Sequence, residues 1–443
     1  MRGHIAKILA SKLSTDIAWT MGSFVVLAVS GVLINILVVY FRTAADLGVF
    51  NLAYSIYIVT SQIAVLGIHY SVLRHAAYHS NDRDLLGTIL GSACLPALAM
   101  GVFWAGMIFL LGPGFEWMFD SERAARSISI AALGIALFPL TKVLISFLNS
   151  QRDMKAFSLL QAGRYIVVTV VVTLFAASDW DFDYAPLAFV IAETITLVGA
   201  VARVGALGIV RHLKLSSDWL RKHIRFGSKS LAAGMFGEVN TRVDVLMLGM
   251  FLSDTAVGIY SFAAMLLDGL YHLLAMVRVN FNPLLVAATR DGRWSDANKI
   301  LRLSKLFAPL LIGALSVGLL ILYWAASNYV FPEKGLLEGL PALFVLLAGL
   351  VVVSGLVPFD NLLLVSGYPG YQTLQQFVAV LANVLVNAAL IPVWGIVGAS
   401  AGTAASYVCG TWVLLVMSRR LVGWNLMTGV VRGSSNGTDT APP

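Results

Sequence analysis

Apolar runs of about 18 to 25 residues, separated by short polar turns, recur along the whole chain. They lie near 18–41, 48–72, 87–111, 128–148, 158–177, 185–209, 229–251, 258–282, 306–326, 341–365, 373–391 and 396–418. Each can cross a hydrocarbon core about 30 Å thick as a helix, the conformation that satisfies its own backbone donors and acceptors in lipid. The pattern predicts an all-α integral membrane protein of about 12 transmembrane helices. The first run follows a polar start containing Arg2, Lys7, Lys12 and Asp16, with no small-residue cleavage site, so it reads as a retained span.

Composition agrees, because 58% hydrophobic and 12% charged residues leave too little polar surface for a water-facing fold of 443 residues. The net charge of +7 is a topology signal. With the N-terminus inside, the even-numbered loops and both tails hold 21 Lys or Arg, whereas the odd-numbered loops hold Arg42, Arg123, Arg126 and Lys334. The positive-inside rule then places both termini in the cytoplasm, and nucleic acid is not an implied partner. Cys94 and Cys409 sit inside apolar runs, which leaves no disulfide framework and no metal-ligand cluster.

A basic amphipathic linker at 210–228 falls at the midpoint. It divides the chain into an N-terminal lobe (1–209, helices 1 to 6) and a C-terminal lobe (229–432, helices 7 to 12), with a polar, disordered cytoplasmic tail at 433–443. The lobes carry a faint repeat. Phe41, Gly48, Phe50 and Ala53 recur at an offset of 210 as Phe251, Gly258, Tyr260 and Ala263. Ser158-Leu159-x-Gln161 is echoed by Thr373-Leu374-x-Gln376. Six spans per copy start both copies on the same face of the membrane, so the repeat is parallel and can enclose a cleft.

The stretch Asn240-Thr-Arg242-Val-Asp244-Val-Leu-Met-Leu-Gly249, followed by Val257-Gly258-Ile-Tyr260-Ser-Phe-Ala263, resembles the R-x-D…G-x-Y-x-x-A signature of polysaccharide biosynthesis flippases. These are the O-antigen (Wzx-type) transporters of the multidrug/oligosaccharidyl-lipid/polysaccharide exporter superfamily. The resemblance implies a V-shaped pair of six-helix lobes around a central cavity in the bacterial inner membrane. It also implies alternating access that moves an undecaprenyl-pyrophosphate-linked oligosaccharide outward for O-antigen or exopolysaccharide assembly. Implied partners are membrane lipids, the lipid-linked oligosaccharide, H+ or Na+ as coupling ion, and the polysaccharide polymerase and glycosyltransferases of the same route; no cofactor is implied. The lipid II flippases of this superfamily usually carry two further helices, which this chain lacks.

Ionisable groups at membrane depth are costly and are the default functional candidates. Arg164, Arg242, Arg278 and Lys142 suit a pyrophosphate or acidic sugars, the guanidinium fork being well shaped for both. Two readings stand for Arg242: a substrate ligand, or an ion pair with Glu238 at i, i+4 on one helical face. Asp244 would face away from Arg242 and takes a partner on the next span, or serves coupling. Glu193, Asp268 and Asp360 take up protons or hydrogen-bond between helices, and Asn240, Asn280, Asn282 and Asn361 meet sugar hydroxyls or act as helix glue. Arg203 and Arg278 lie a turn or two from a cytoplasmic end, where snorkelling to headgroups is the alternative reading for both. His75 and His79 have metal-ligand spacing but no further ligands nearby, which favours a solvated interfacial role.

Pro139, Pro283, Pro309 and Pro358 permit kinks, and the stripe Gly395, Gly398, Ala399, Gly402 and Ala405 is a helix-packing surface. No phosphate-binding GxxxxGK[ST] loop or catalytic constellation occurs, so the chain reads as a transporter and not an enzyme. The competing functions are a cation-coupled drug or metabolite exporter, which needs an acidic cavity, and a membrane-bound polymerase or transferase, which needs a long outer loop.

Overall fold

The computed structural model describes residues 2–292 and 294–431, with side chains left aside at 2–14, 17, 232–234, 279, 280 and 283. Arg2, Lys7, Lys12, Asn280, Pro283, Arg293, Arg432 and the tail at 433–443 therefore lie outside the described side chains. Every regular element among the described residues is helical. In order these are α1 (Arg2–Phe41), α2 (Ala44–Val65), α3 (Ile68–Tyr78), α4 (Arg83–Leu110), α5 (Gly112–Phe119), α6 (Glu122–Ser150), α7 (Met154–Ala177), α8 (Leu187–Ala206), α9 (Ser217–Asn240), α10 (Val243–Phe251), α11 (Asp254–Asp291), α12 (Trp294–Ala325), α13 (Leu340–Val353), α14 (Leu362–Val365), α15 (Pro369–Trp394) and α16 (Ile396–Met417).

Eleven segments among the described residues are long and apolar enough to cross a membrane. The expected run at 229–251 is not among them. There α9 starts early at Ser217 and stops at Asn240, and α10 resumes at Val243. The sequence Glu238-Val-Asn-Thr-Arg242 supplies the reason: Thr241 Oγ1 donates back to the Glu238 carbonyl at 2.8 Å, a local bond that competes with helix continuation. The expected run at 341–365 likewise ends at Val353 and gives way to a 3-10 turn, Val357–Phe359, at Pro358. The run at 48–72 breaks at Leu66 and Gly67, both left-handed (φ 49° and 65°), before α3 starts.

Close packing divides the chain into two compact units, Met1–Phe262 and Ala263–Pro443. In the first, side-chain caps start the helices. Thr43 and Asp46 form a reciprocal capping box on α2, while Asp82, Ser121 and Asp153 cap α4, α6 and α7. At one end Arg123 bridges Asp46 and Asp183 (2.5 and 2.8 Å). Arg126 pairs with Glu122, and Arg42 donates to the carbonyls of Phe175, Ala176, Ser178 and Trp180. Three of the four basic residues of the odd-numbered loops are thus tied to loop acids and carbonyls of their own unit.

At the other end Ile68, Val72, Leu86, Ile89, Val143, Phe147 and Ala200 on α3, α4, α6 and α8, with Ile209 of the 3-10 turn after α8, form a core cluster. The first turns of α9 are pressed onto it. His223, fully buried, places Nδ1 2.9 Å from Ser71 Oγ and Nε2 3.0 Å from the Ile89 carbonyl. A carbonyl only accepts, so Nε2 carries the proton and Nδ1 accepts from Ser71. Gly227 packs on the Leu66 carbonyl with no room for a Cβ. The amphipathic linker expected at 210–228 thus runs into α9, whose inner face packs in the core.

In the second unit, Leu285, Ala288, Leu301, Phe359 and Leu363 surround the fully buried Trp424, whose Nε1 donates to Asn298 at 2.8 Å. Lys305 Nζ donates to the carbonyls of Leu426 and Met427, fastening the segment after α16. The small-residue stripe does pack helices. Gly402 admits the Asn383–Asn387 pair of α15, and Gly398 admits the Leu390 backbone.

Candidate functional site

Four spans of the first unit bring buried charge together. In α6, Phe138 and Lys142 are one turn apart; α7 contributes Arg164, α8 Glu193 and α2 Tyr57. Arg164, 7% exposed, donates to Glu193 Oε1 at 2.8 Å, and Tyr57 donates to the same oxygen at 3.0 Å. Low local dielectric makes this charge-assisted pair strong once formed and expensive to leave half made. Arg164 Nε and Glu193 Oε2 are buried without a hydrogen-bond partner.

Aromatic rings extend this centre to Arg242. The Arg164 guanidinium stands 5.3 Å from the Phe138 centroid and Lys142 Nζ 5.9 Å from the same ring. Tyr57 meets Phe138 edge-on and stacks on Phe189 at 4.5 Å, and Tyr54 stacks on Phe189 at 5.6 Å. Arg242 lies over Tyr54 at 4.7 Å. Cation–π contacts of this kind contribute about 0.5 to 2 kcal/mol each and leave hydrogen-bond donors unspent. The sequence marks the cations as charges at membrane depth and gives no such mark to the rings, although Tyr54 and Tyr57 share a face of α2 by their i, i+3 spacing.

The ion pair expected between Glu238 and Arg242 does not form. Their i, i+4 relation needs one continuous helix, and the break after Asn240 leaves Arg242 as the N-cap of α10. Arg242 Nε and Asn240 Oδ1 are buried without partners. Glu238 lies near enough to Lys142 to act on it electrostatically, as do Arg164 and Glu193. Asp244, placed on α10, accepts from Tyr260 of α11 at 2.7 Å.

Among the described residues, Arg164 has a carboxylate within ion-pair distance, whereas Lys142 and Arg242 have none. Three cations against Glu193 and Glu238 leave this group one charge positive. Lys142 and Arg242 are also the more exposed members, Arg164 and Glu193 being buried.

The second unit holds the other candidates. Arg278 pairs with Asp360 at 3.5 Å, and Gln375 donates to Asp360 at 2.8 Å. Asn361 donates to Asn282 at 3.4 Å, and the Asp268 carbonyl accepts from His272 Nδ1. In the first unit Arg203, half exposed, pairs with Asp153 at 2.6 Å. His75 and His79 rest against Trp219, and no group of three His, Cys, Asp or Glu fit to hold a metal occurs among the described residues.

A family model described as polysaccharide biosynthesis protein matches residues 13–281. No curated protein matches the chain by sequence. Solved structures match along nearly all of it. An inward-facing multidrug resistance transporter of the MATE family, in the MOP superfamily, has a TM-score of 0.71 at 11% identity, covering 92% of this chain and 96% of that one. The lipid II flippase MurJ in an inward closed conformation has a TM-score of 0.72 at 13% identity, covering 91% and 87%. The MATE multidrug transporter DinF-BH has a TM-score of 0.67 at 17% identity, covering 94% and 96%. At these identities the likeness shows a shared fold.

Proposed function

We propose that this chain, which belongs to the polysaccharide biosynthesis protein family, carries an undecaprenyl-pyrophosphate-linked oligosaccharide across a bacterial inner membrane. Family and fold are those of multi-pass membrane flippases and transporters of the MOP superfamily. The substrate is the step beyond them, and one observation supports it above the others. Lys142 and Arg242 present cationic groups with no carboxylate at ion-pair distance among the described residues, backed by aromatic rings, beside a compensated Arg164–Glu193 pair. A pyrophosphate offers strong acceptors to such donors, and Arg242 can meet it with a two-pronged fork.

Within this reading the chain keeps its termini in the cytoplasm, and six-helix lobes on either side of 210–228 rock around the substrate. The carboxylates Glu193, Asp244, Asp268 and Asp360 are the groups through which an H+ or Na+ gradient would act. Polymerase and glycosyltransferases handle the product and precursor. The rival reading, a cation-coupled drug exporter, needs spare negative charge, whereas Asp360 is already met by Arg278 and Gln375.

The test is complementation of a strain lacking its own flippase for one surface polysaccharide. Lys142→Ala and Arg242→Ala, each at normal membrane abundance, should cut surface polymer about tenfold, the loss of one charge-assisted phosphate contact. Full polymer from both variants would remove the cationic-site reading. Export of an organic cation by the purified chain would favour the rival.

A further inference from the structure

The repeat at an offset of 210 has a physical counterpart. A Cβ added to Gly48 would run into the carbonyl of Asp254 and stand 2.9 Å from the Gly258 nitrogen. A Cβ added to Gly258 would run into the carbonyl of Ala44 and stand 3.0 Å from the Gly48 nitrogen. Ala44 and Asp254 are offset by 210, as are Gly48 and Gly258. Each copy of the repeat therefore meets the other through equivalent atoms, as the two faces of a twofold-symmetric interface do. The first turns of α2 and α11 touch backbone to backbone, with no side chain between them.

Both partners are held in register from outside the contact. Thr43 and Asp46 cap α2, Arg123 bridges Asp46, and Ser121 Oγ donates to Asp254 Oδ2 at 2.8 Å. The carboxylates at the two helix starts also offset the positive ends of the helix dipoles, which meet here. Next along the chain, Gly249 of α10 seats the side-chain ends of Leu52 and Phe119, a contact that can give where the two backbone contacts cannot.

We propose that the Gly48–Gly258 crossing is a latch that shuts one face of the transport path, and that it must part in each cycle. This rests on the flippase reading given above. Two backbones in contact leave no passage for a sugar chain between these helix starts. A symmetric contact also parts as a unit, because moving α2 away from α11 breaks both halves at once. The basic-residue count assigns this face to the outside.

The experiment reads the latch without any substrate. In a background with Cys94 and Cys409 replaced by serine, Ser55→Cys reports on a fully buried position of α2 beyond the crossing. Gly48→Leu and Gly258→Leu should each let a membrane-impermeant maleimide, added outside, label Ser55→Cys about tenfold faster than the parent. Gly313→Leu, at a glycine with nothing within 4 Å, should change nothing. Unchanged labelling in both folded variants, or a response in only one of them, overturns the proposal. Should the leucine variants not fold, hydrogen exchange on the unmodified chain in nanodiscs decides. Amides of 44–50 and 254–260 should open at matching rates, and rates differing by more than about tenfold overturn the latch. Loss of polymer export without a change in labelling would fault the latch and spare the flippase reading. Faster labelling with no polymer defect in the Lys142 and Arg242 variants would do the reverse.

Discussion

Arg164 and Lys142 share one aromatic ring, yet they answer to different forces. The Arg164 guanidinium is buried with its counter-ion, so its loss leaves Glu193 charged and unpaired in a low-dielectric site. Removing one partner of such a pair costs about 3 to 5 kcal/mol. Arg164→Ala should therefore lower the melting temperature and membrane yield, and Arg164→Met with Glu193→Met should restore much of both. A stable, well-expressed Arg164→Ala protein would show that the pair does not hold the bundle together. Lys142→Ala leaves no counter-ion stranded at hydrogen-bond distance among the described residues, so under the proposed function it should lower transport and leave the melting temperature nearly unchanged. The sequence marks both residues equally, since hydropathy registers a charge at membrane depth and is silent on its partner. The partner came from another helix 29 residues away in sequence.

His223 offers a second residue-scale test. Burial, helped by Lys222 and His75 nearby, pushes its pKa down to about 4, with the Ile89 hydrogen bond opposing. The folded chain thus refuses a proton that the unfolded chain accepts near 6.5. The stability tied to this site is complete above about pH 6.5 and is lost as pH falls toward 4, on the order of 3 kcal/mol in all. Thermal melts of the detergent-solubilised protein should fall across that window. His223→Gln should flatten the fall, and an unchanged slope would refute the assignment.

At the scale of elements, period and length located most spans, because a run of lipid-facing residues leaves a long unbroken signal. The failures share a cause. Residues 229–251 and 341–365 read as continuous apolar runs, but Asn240-Thr241 and Gly355 with Pro358 interrupt the backbone at their middles. A hydropathy average passes over such local chemistry. The expected linker at 210–228 runs into the first turns of α9, whose basic face hides a buried one that includes His223 and Gly227. Gly227→Leu makes that visible. Its side chain would collide with the Leu66 carbonyl and force the helix off α3, an overpacking cost of about 1 to 3 kcal/mol. Limited proteolysis between 207 and 216 should become faster, whereas Gly237→Leu, in open space, should leave it unchanged. Equal proteolysis of both would mean that the connection is held elsewhere.

At the scale of the whole molecule, the count of 21 basic residues against 4 carries an orientation that the fold alone does not contain. The four exceptions sharpen the argument. Arg42, Arg123 and Arg126 are bound by loop carbonyls and by Asp46, Glu122, Asp181 and Asp183, so their charge is neutralised or dispersed where they sit. On the opposite side Arg211, Arg221 and Arg225 lie at the surface, free to face anionic headgroups at about 1 kcal/mol each. We propose that orientation follows from which cations remain available to the membrane. In the background without Cys94 and Cys409, Asp179→Cys in intact cells should react with an impermeant maleimide, and Ser217→Cys should react only after permeabilisation. Labels in the opposite order would invert the chain, place the Gly48–Gly258 contact on the cytoplasmic face, and make that contact an entry latch instead of an exit one.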